Sequence, residues 1–192
     1  MAQDRQTVNV LVLELATMVV AISLAFTTTF VATLDLYTVV SYIFTNIIVI
    51  WFWWGYVVDR LAYPPKTMNF PILDIFILIL ISLLPFALKL GGTSYIAGVV
   101  GMIIIVWAFL IRFILKEYGG EMAPERSRSL RAEVKQRLII GPLFVIDAGL
   151  TYFTPPVGPV LFDILVLSLI AWNASNRRRA RPGSHPDPSP TV

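Results

Sequence analysis

The chain has no cysteine, one histidine and few charges for its 192 residues. Without cysteine there is no disulfide framework, no thiol nucleophile and no thiolate metal site. The single histidine, His185, sits in a Pro/Ser-rich tail, so zinc-type sites and imidazole acid/base chemistry lose their usual ligands and bases. No nucleophile–base pair or metal cluster is evident. The expectation is a protein that is not an enzyme and carries no metal or cofactor. Charged residues make up 14% of the chain, against about 25% in an ordinary soluble domain.

What is present is apolar sequence, at 57% hydrophobic residues. Several runs are long enough to cross a bilayer. The expected fold class is all-α, a polytopic membrane protein with six transmembrane helices at about 8–33, 37–61, 70–88, 95–115, 138–153 and 160–174. Residues 1–175 form the transmembrane domain. The polar N-terminus MAQDRQT is short, and the apolar stretch after it is too long for a signal-peptide h-region, so the segment reads as retained. The basic, Pro-rich 176–192 has no means of forming a core and is expected to be a disordered tail. Pro64 and Pro65 turn the chain after span two, Pro85 marks a kink in span three, and Gly98 and Gly101 lie near the start of span four. Gly119 and Gly120 stop a helix, and Pro124 suits the first turn of the next, a charged run that feeds into span five. Spans five and six are short, about 24 Å each, and need local thinning or flanking protein.

Span one has two unlike faces. Thr17, Ala21, Ala25, Thr28 and Ala32 recur at i, i+4, i+8, i+11 and i+15, a stripe of small residues that lets another backbone approach closely. The adjoining stripe, Leu15, Met18, Ile22, Phe26, Thr29 and Thr33, is apolar at its start and hydroxylated towards its end. Two readings stay open: a buried helix whose faces touch two neighbours, or a helix whose second stripe lines a path. Span two ends in the aromatic run Trp51, Phe52, Trp53, Trp54 and Tyr56, a composition common at a membrane–water interface.

With six spans, every Lys and Arg except Lys89 and Arg112 falls on the side of the 62–69 turn, the 118–137 loop and both termini. The positive-inside rule makes that side, with both termini, cytoplasmic; the expected location is the cell membrane, as a multi-pass protein. The basic balance then implies attraction of the loop and tail to anionic lipid, with no nucleic-acid partner. Glu14, Asp59, Arg60, Asp74 and Arg112 all lie within about two turns of that surface, where a Glu14–Arg112 or Asp74–Arg60 pair would offset burial. Asp147 and Asp163 come to similar outer-half depth through the TPPVGP hairpin, with Lys89 the only nearby cation. One of these carboxyls is then either protonated or facing water. The absence of a repeated half argues against an inverted-repeat transporter.

Four segments, in order and spacing over about residues 8–175, resemble the six-helix unit of the transmembrane protein 175 potassium channel family. They are WFWWGYVVDRL (51–61), ISLLPF (81–86), RLIIGPL (137–143) and the Pro break between spans five and six. The family's Phe-Ser-Asp-Gly signature is missing: Leu15, Ala16, Thr17 and Met18 stand there, and Val58 and Asp59 replace its second-helix histidines. The resemblance implies a tetramer in which the first helix of each subunit lines a central pore constricted at Ile22, Phe26 and Thr29. Apolar rings can gate by dewetting, and a hydroxyl ring at Thr29 and Thr33 could ease partial dehydration of a cation. The expected function is a passive, potassium-preferring channel for monovalent cations in a homo-oligomer, probed by Phe26→Ser. A non-conducting scaffold of the same fold and a proton-coupled carrier using Asp147 and Asp163 remain alternatives.

Overall fold

The computed structural model describes residues 2–29, 36–64, 66, 69–91, 93–155 and 157–179. Six helices make up almost all of this: α1 (Ala2–Thr28), α2 (Leu36–Ala62), α3 (Asn69–Gly91), α4 (Thr93–Tyr118), α5 (Pro124–Phe153) and α6 (Gly158–Arg179). There is no strand among the described residues. Apolar composition alone carries three stretches across the length a bilayer needs: Tyr42–Ala62, Thr93–Tyr118 and Gly158–Ser175. Val12–Phe26 and Ile72–Ala87 are apolar but shorter.

Helix boundaries follow the punctuation of the sequence. α4 stops at Tyr118 before the glycine pair, and Pro124 occupies the first turn of α5, where its missing N–H costs nothing. The charged run and the fifth apolar stretch are one helix of 30 residues that continues through Pro142. α3 runs on to Gly91, so the expected exit loop after Lys89 is shorter than its sequence suggested; the Lys89 side chain lies outside the described residues. α6 extends past Ala174 to Arg179, carrying helix into the start of the expected tail. Residues 180–192, with His185, lie outside the described residues.

α4 is the centre of the bundle. Ala97, Val100, Ile104, Ala108, Leu110 and Ile111 on it have no measurable exposure, and it packs on α3, α5, α6 and α2. Its closest neighbour is α5, and glycine sets that distance. A Cβ on Gly101 would lie 2.9 Å from the carbonyl oxygen of Gly141, and one on Gly141 would lie 2.6 Å from Ile105 Cγ1. Where lipid removes the hydrophobic drive between helices, such backbone approach is the main source of packing attraction. Trp107 fills the space between α4 and α2, with its ring 5.2 Å from Phe52 and 6.3 Å from Tyr56. Two members of the aromatic run in α2 are therefore core residues, whereas Trp54 is exposed.

α1 lies at the edge of the bundle, against α3 and α2. Its inward side is Ala16, Val20 and Ser23. Ser23 explains how α3 tolerates a buried proline. Pro85 has no N–H, so the carbonyl of Ile81, four residues earlier, loses its helical donor. The Ser23 hydroxyl donates to that carbonyl at 2.8 Å.

Candidate functional site: the outer face of α1 and the ion-paired end

The described members of both stripes of α1 are exposed on the chain's own surface; Ala32 lies outside the described residues. Thr17, Ala21, Ala25 and Thr28 of the small stripe are exposed, as are Leu15, Met18, Ile22, Phe26 and Thr29 of the other. Thr33 lies outside the described residues. Glu14, Met18, Ala21, Ala25 and Thr28 recur at steps of four and three, a single seam along the middle of this exposed arc. The threonines on it spend their protons locally. Thr17 donates to Leu13 O at 2.8 Å, Thr28 to Ala25 O at 2.6 Å and Thr29 to Phe26 O at 2.7 Å. A hydroxyl used this way keeps lone pairs facing outward, where they can accept a hydrogen bond or ligate a cation. Trp53 Nε1 of α2 takes one of them, donating to Thr17 Oγ1 at 3.2 Å.

Ile22 and Phe26 sit on the flank of α1 nearer α3. With Val19, Ser23, Ser82, Pro85 and Phe86 they line an apolar cavity of about 380 Å3 between the two helices. Its two serines donate elsewhere, Ser23 to Ile81 O and Ser82 to Ile79 O, so the lining presents little polar demand.

The second concentration of chemistry is where α2 and α4 end and α3 and α5 begin. Arg60 and Asp74 form an ion pair with side chains only 1% and 3% exposed, as the sequence allowed. Arg126 of α5 pairs with Asp59 at 3.0 Å, and Arg137 pairs with Glu133 at 2.9 Å. Arg137 also lies over the Trp107 ring at 5.4 Å. Lys66 in the 62–69 turn pairs with Glu121 at 2.6 Å and lies over the Tyr118 ring at 3.9 Å. The Tyr118 hydroxyl donates to the carbonyl of Pro64. These bonds place the 62–69 turn and the 118–124 turn at one end of the molecule. The hydrogen bond to Glu121 holds the Lys66 ammonium above its ordinary range.

Glu14 and Arg112 do not meet. Both are exposed, on α1 and α4, and no ion pair joins them among the described residues. Asp147 lies ten residues along α5 from Arg137, about 15 Å away at the helical rise. It is 1% exposed, and the Thr151 hydroxyl lies 2.7 Å from its carbonyl and 3.3 Å from Oδ1. Its Oδ2 is buried with no hydrogen-bond partner among the described residues. Asp163, on α6, is half-buried. Gly158 at the start of α6 presses on Thr151, and Ser94 of α4 donates to Ala148 O at 2.6 Å, so three helices converge around Asp147.

Comparison with protein-family models, curated proteins and solved structures finds no match. Function must therefore be read from these residues. Sequence reasoning singled out the α1 stripes and the Arg60–Asp74 pair. It missed Ser23, for which Pro85 was the signal: a proline inside an apolar helix implies an orphan carbonyl four residues earlier, and a hydroxyl on a neighbour is the simplest donor. It also missed Arg126 and Arg137 as partners at the ion-paired end, since their register on α5 depends on where that helix starts.

Proposed function

We propose that the chain crosses the cell membrane six times with both termini in the cytoplasm, and that it assembles as a homo-oligomer, a tetramer. In this reading α1 of each subunit surrounds a narrow path for passive, potassium-preferring flow of monovalent cations. One observation carries it: the exposed face of α1 includes a seam of small and polar residues that the exposed face of α3 lacks. α3 turns Ile72, Ile75, Phe76, Ile79, Leu83 and Phe86 outward, the bulky apolar side chains that suit lipid. α1 turns out Leu15, Met18, Ile22 and Phe26 as well, but among them stand Glu14, Thr17, Ala21, Ala25, Thr28 and Thr29, which are small, hydroxylated or charged. Lipid gains little from such a face, whereas a second copy of the helix can approach it closely. Ile22 and Phe26 beside the seam supply apolar rings that gate by dewetting, and outward hydroxyl oxygens supply polar relief. The four segments that resemble transmembrane protein 175 channels support the same assignment, and the family's helix-one signature is replaced here by Leu15–Met18.

The test is potassium and sodium flux from liposomes holding the purified protein, with Phe26→Ser beside wild type. Potassium-selective flux that rises severalfold in the variant is the expected result. No flux from either, in protein shown to be folded, would replace the channel with a non-conducting scaffold. A second reading, a proton-coupled carrier, is favoured by the buried, unpartnered Oδ2 of Asp147. It requires flux that depends on pH and is lost in Asp147→Asn.

A further inference from the structure

One surface away from α1 combines charge with shape. Phe109, Arg112, Phe113 and Lys116 follow one another on α4 at steps of three, one and three residues, so they project from one face. With Leu115 and, from α5, Arg131, they line an open groove of about 500 Å3. Arg112, Lys116 and Arg131 are exposed, and none of them makes an ion pair among the described residues. This sets them apart from Arg60, Lys66, Arg126 and Arg137 at the same end of the bundle, each of which has a carboxylate partner.

The order of side chains along the helix matters. Lys116 is two residues from the end of α4 at Tyr118, Arg112 is six and Phe109 is nine. At the helical rise these lie about 3, 9 and 13 Å below that end. Lys116 therefore lies nearest that end and Phe109 deepest, with Phe113, about 8 Å below the end, level with Arg112. Long basic side chains reach up to the interface while their stems stay in apolar surroundings.

We propose that this groove is a binding site for one anionic phospholipid of the leaflet at the basic end. Its phosphate sits among Arg112, Lys116 and Arg131, and its acyl chain runs along Phe109 and Phe113. Three cations with no ion pair among the described residues, around one concave surface, complement an anionic head, and each is expected to contribute about a fivefold preference over a neutral one. The inference rests on α4 lying in a membrane, and it is independent of whether the protein conducts ions.

The experiment is native mass spectrometry of the purified full chain with equal amounts of phosphatidylglycerol and phosphatidylcholine. Wild type should retain phosphatidylglycerol preferentially. Arg112→Gln, Lys116→Gln and Arg131→Gln should each lower that retention about fivefold, Arg112→Lys should preserve it, and Phe109→Ser should reduce it without touching a charge. Arg128→Gln and Lys135→Gln, exposed on α5 outside the groove, should leave it unchanged. Equal loss in those two controls would reduce the site to diffuse attraction, and equal retention of both lipids would remove it. Displacement of the lipid by millimolar inorganic phosphate, with no effect of Phe109→Ser, would reassign the groove to free phosphate. Lipid retention is read without any flux measurement, so a silent channel leaves this test intact.

Discussion

Arg60 lies almost wholly buried beside Asp74, whose carboxylate, together with the Tyr56 ring 5.5 Å away, offsets the cost of burying its charge. Removing one partner of such a pair costs about 3–5 kcal/mol, since the other charge stays buried. Asp74→Ala should therefore lower the melting temperature in detergent sharply. Replacing both residues with apolar side chains of similar size should recover most of that loss. A double variant as unstable as the single one would mean that the pair does more than neutralise itself. Ser23 carries a smaller but more local load. Ser23→Ala leaves the Ile81 carbonyl without the donor that Pro85 already denies it, a loss of about 1–3 kcal/mol for a buried group. Because the bond joins α1 to α3, the variant should also speed proteolysis or hydrogen exchange in α1 before the rest of the bundle.

At the scale of the helix, the α4–α5 contact is the part least able to yield. Gly101→Ala sets a methyl 2.9 Å from the backbone oxygen of Gly141, which cannot turn aside as a side chain could. Overpacking of this kind costs about 1–3 kcal/mol. Gly149→Ala is the contrast, because nothing lies within 4 Å of the added Cβ. There the gain in helix propensity should dominate, about 0.5–1 kcal/mol of stabilisation. Opposite signs for the two substitutions in one thermal assay would verify the close approach, and similar effects would mean that the helices are further apart. The contact between the 62–69 and 118–124 turns has its own dependence on conditions. Lys66 is held above its ordinary pKa by Glu121, so its contribution is present below the unfolded value and lost as pH rises through the folded one. Its ammonium therefore adds no pH dependence of stability at neutral pH.

For the whole molecule, the proposed assembly covers the exposed seam of α1 with a second copy of it. The chain has no cysteine, so a single introduced thiol reports without background. Under mild oxidation in the membrane, Ala25→Cys should form disulfide-linked dimers within the oligomer, since small residues at a seam bring backbones together. Ile79→Cys, on the bulky outer face of α3, should stay monomeric under the same conditions. If the two behave alike, α1 is not the shared interface and the pore assignment fails with it. Glu14 lies on the same seam, so the proposed pore predicts that Glu14→Gln lowers cation flux by removing one carboxylate per subunit.

Helical class, the number of helices and most of their ends were legible in the sequence. They depend on local physics: runs of apolar residues, glycine pairs that halt a helix, and Pro124 that begins one. The stripes of α1 were legible for the same reason, since a helix projects i, i+4 and i+7 on one side whatever surrounds it. The pairing of Arg60 with Asp74 also followed, because two buried opposite charges flanking one short turn have few other ways to be satisfied. Tertiary structure alone decided that Trp107, Phe52 and Tyr56 form core rather than an interfacial belt, and that Glu14 and Arg112 stay apart. It alone supplied the Ser23 donor for the Ile81 carbonyl and brought Arg112, Lys116 and Arg131 to one groove with no ion pair among the described residues. Those outcomes depend on which helices become neighbours and in what rotation, and periodicity within one helix carries no information about the helix beside it.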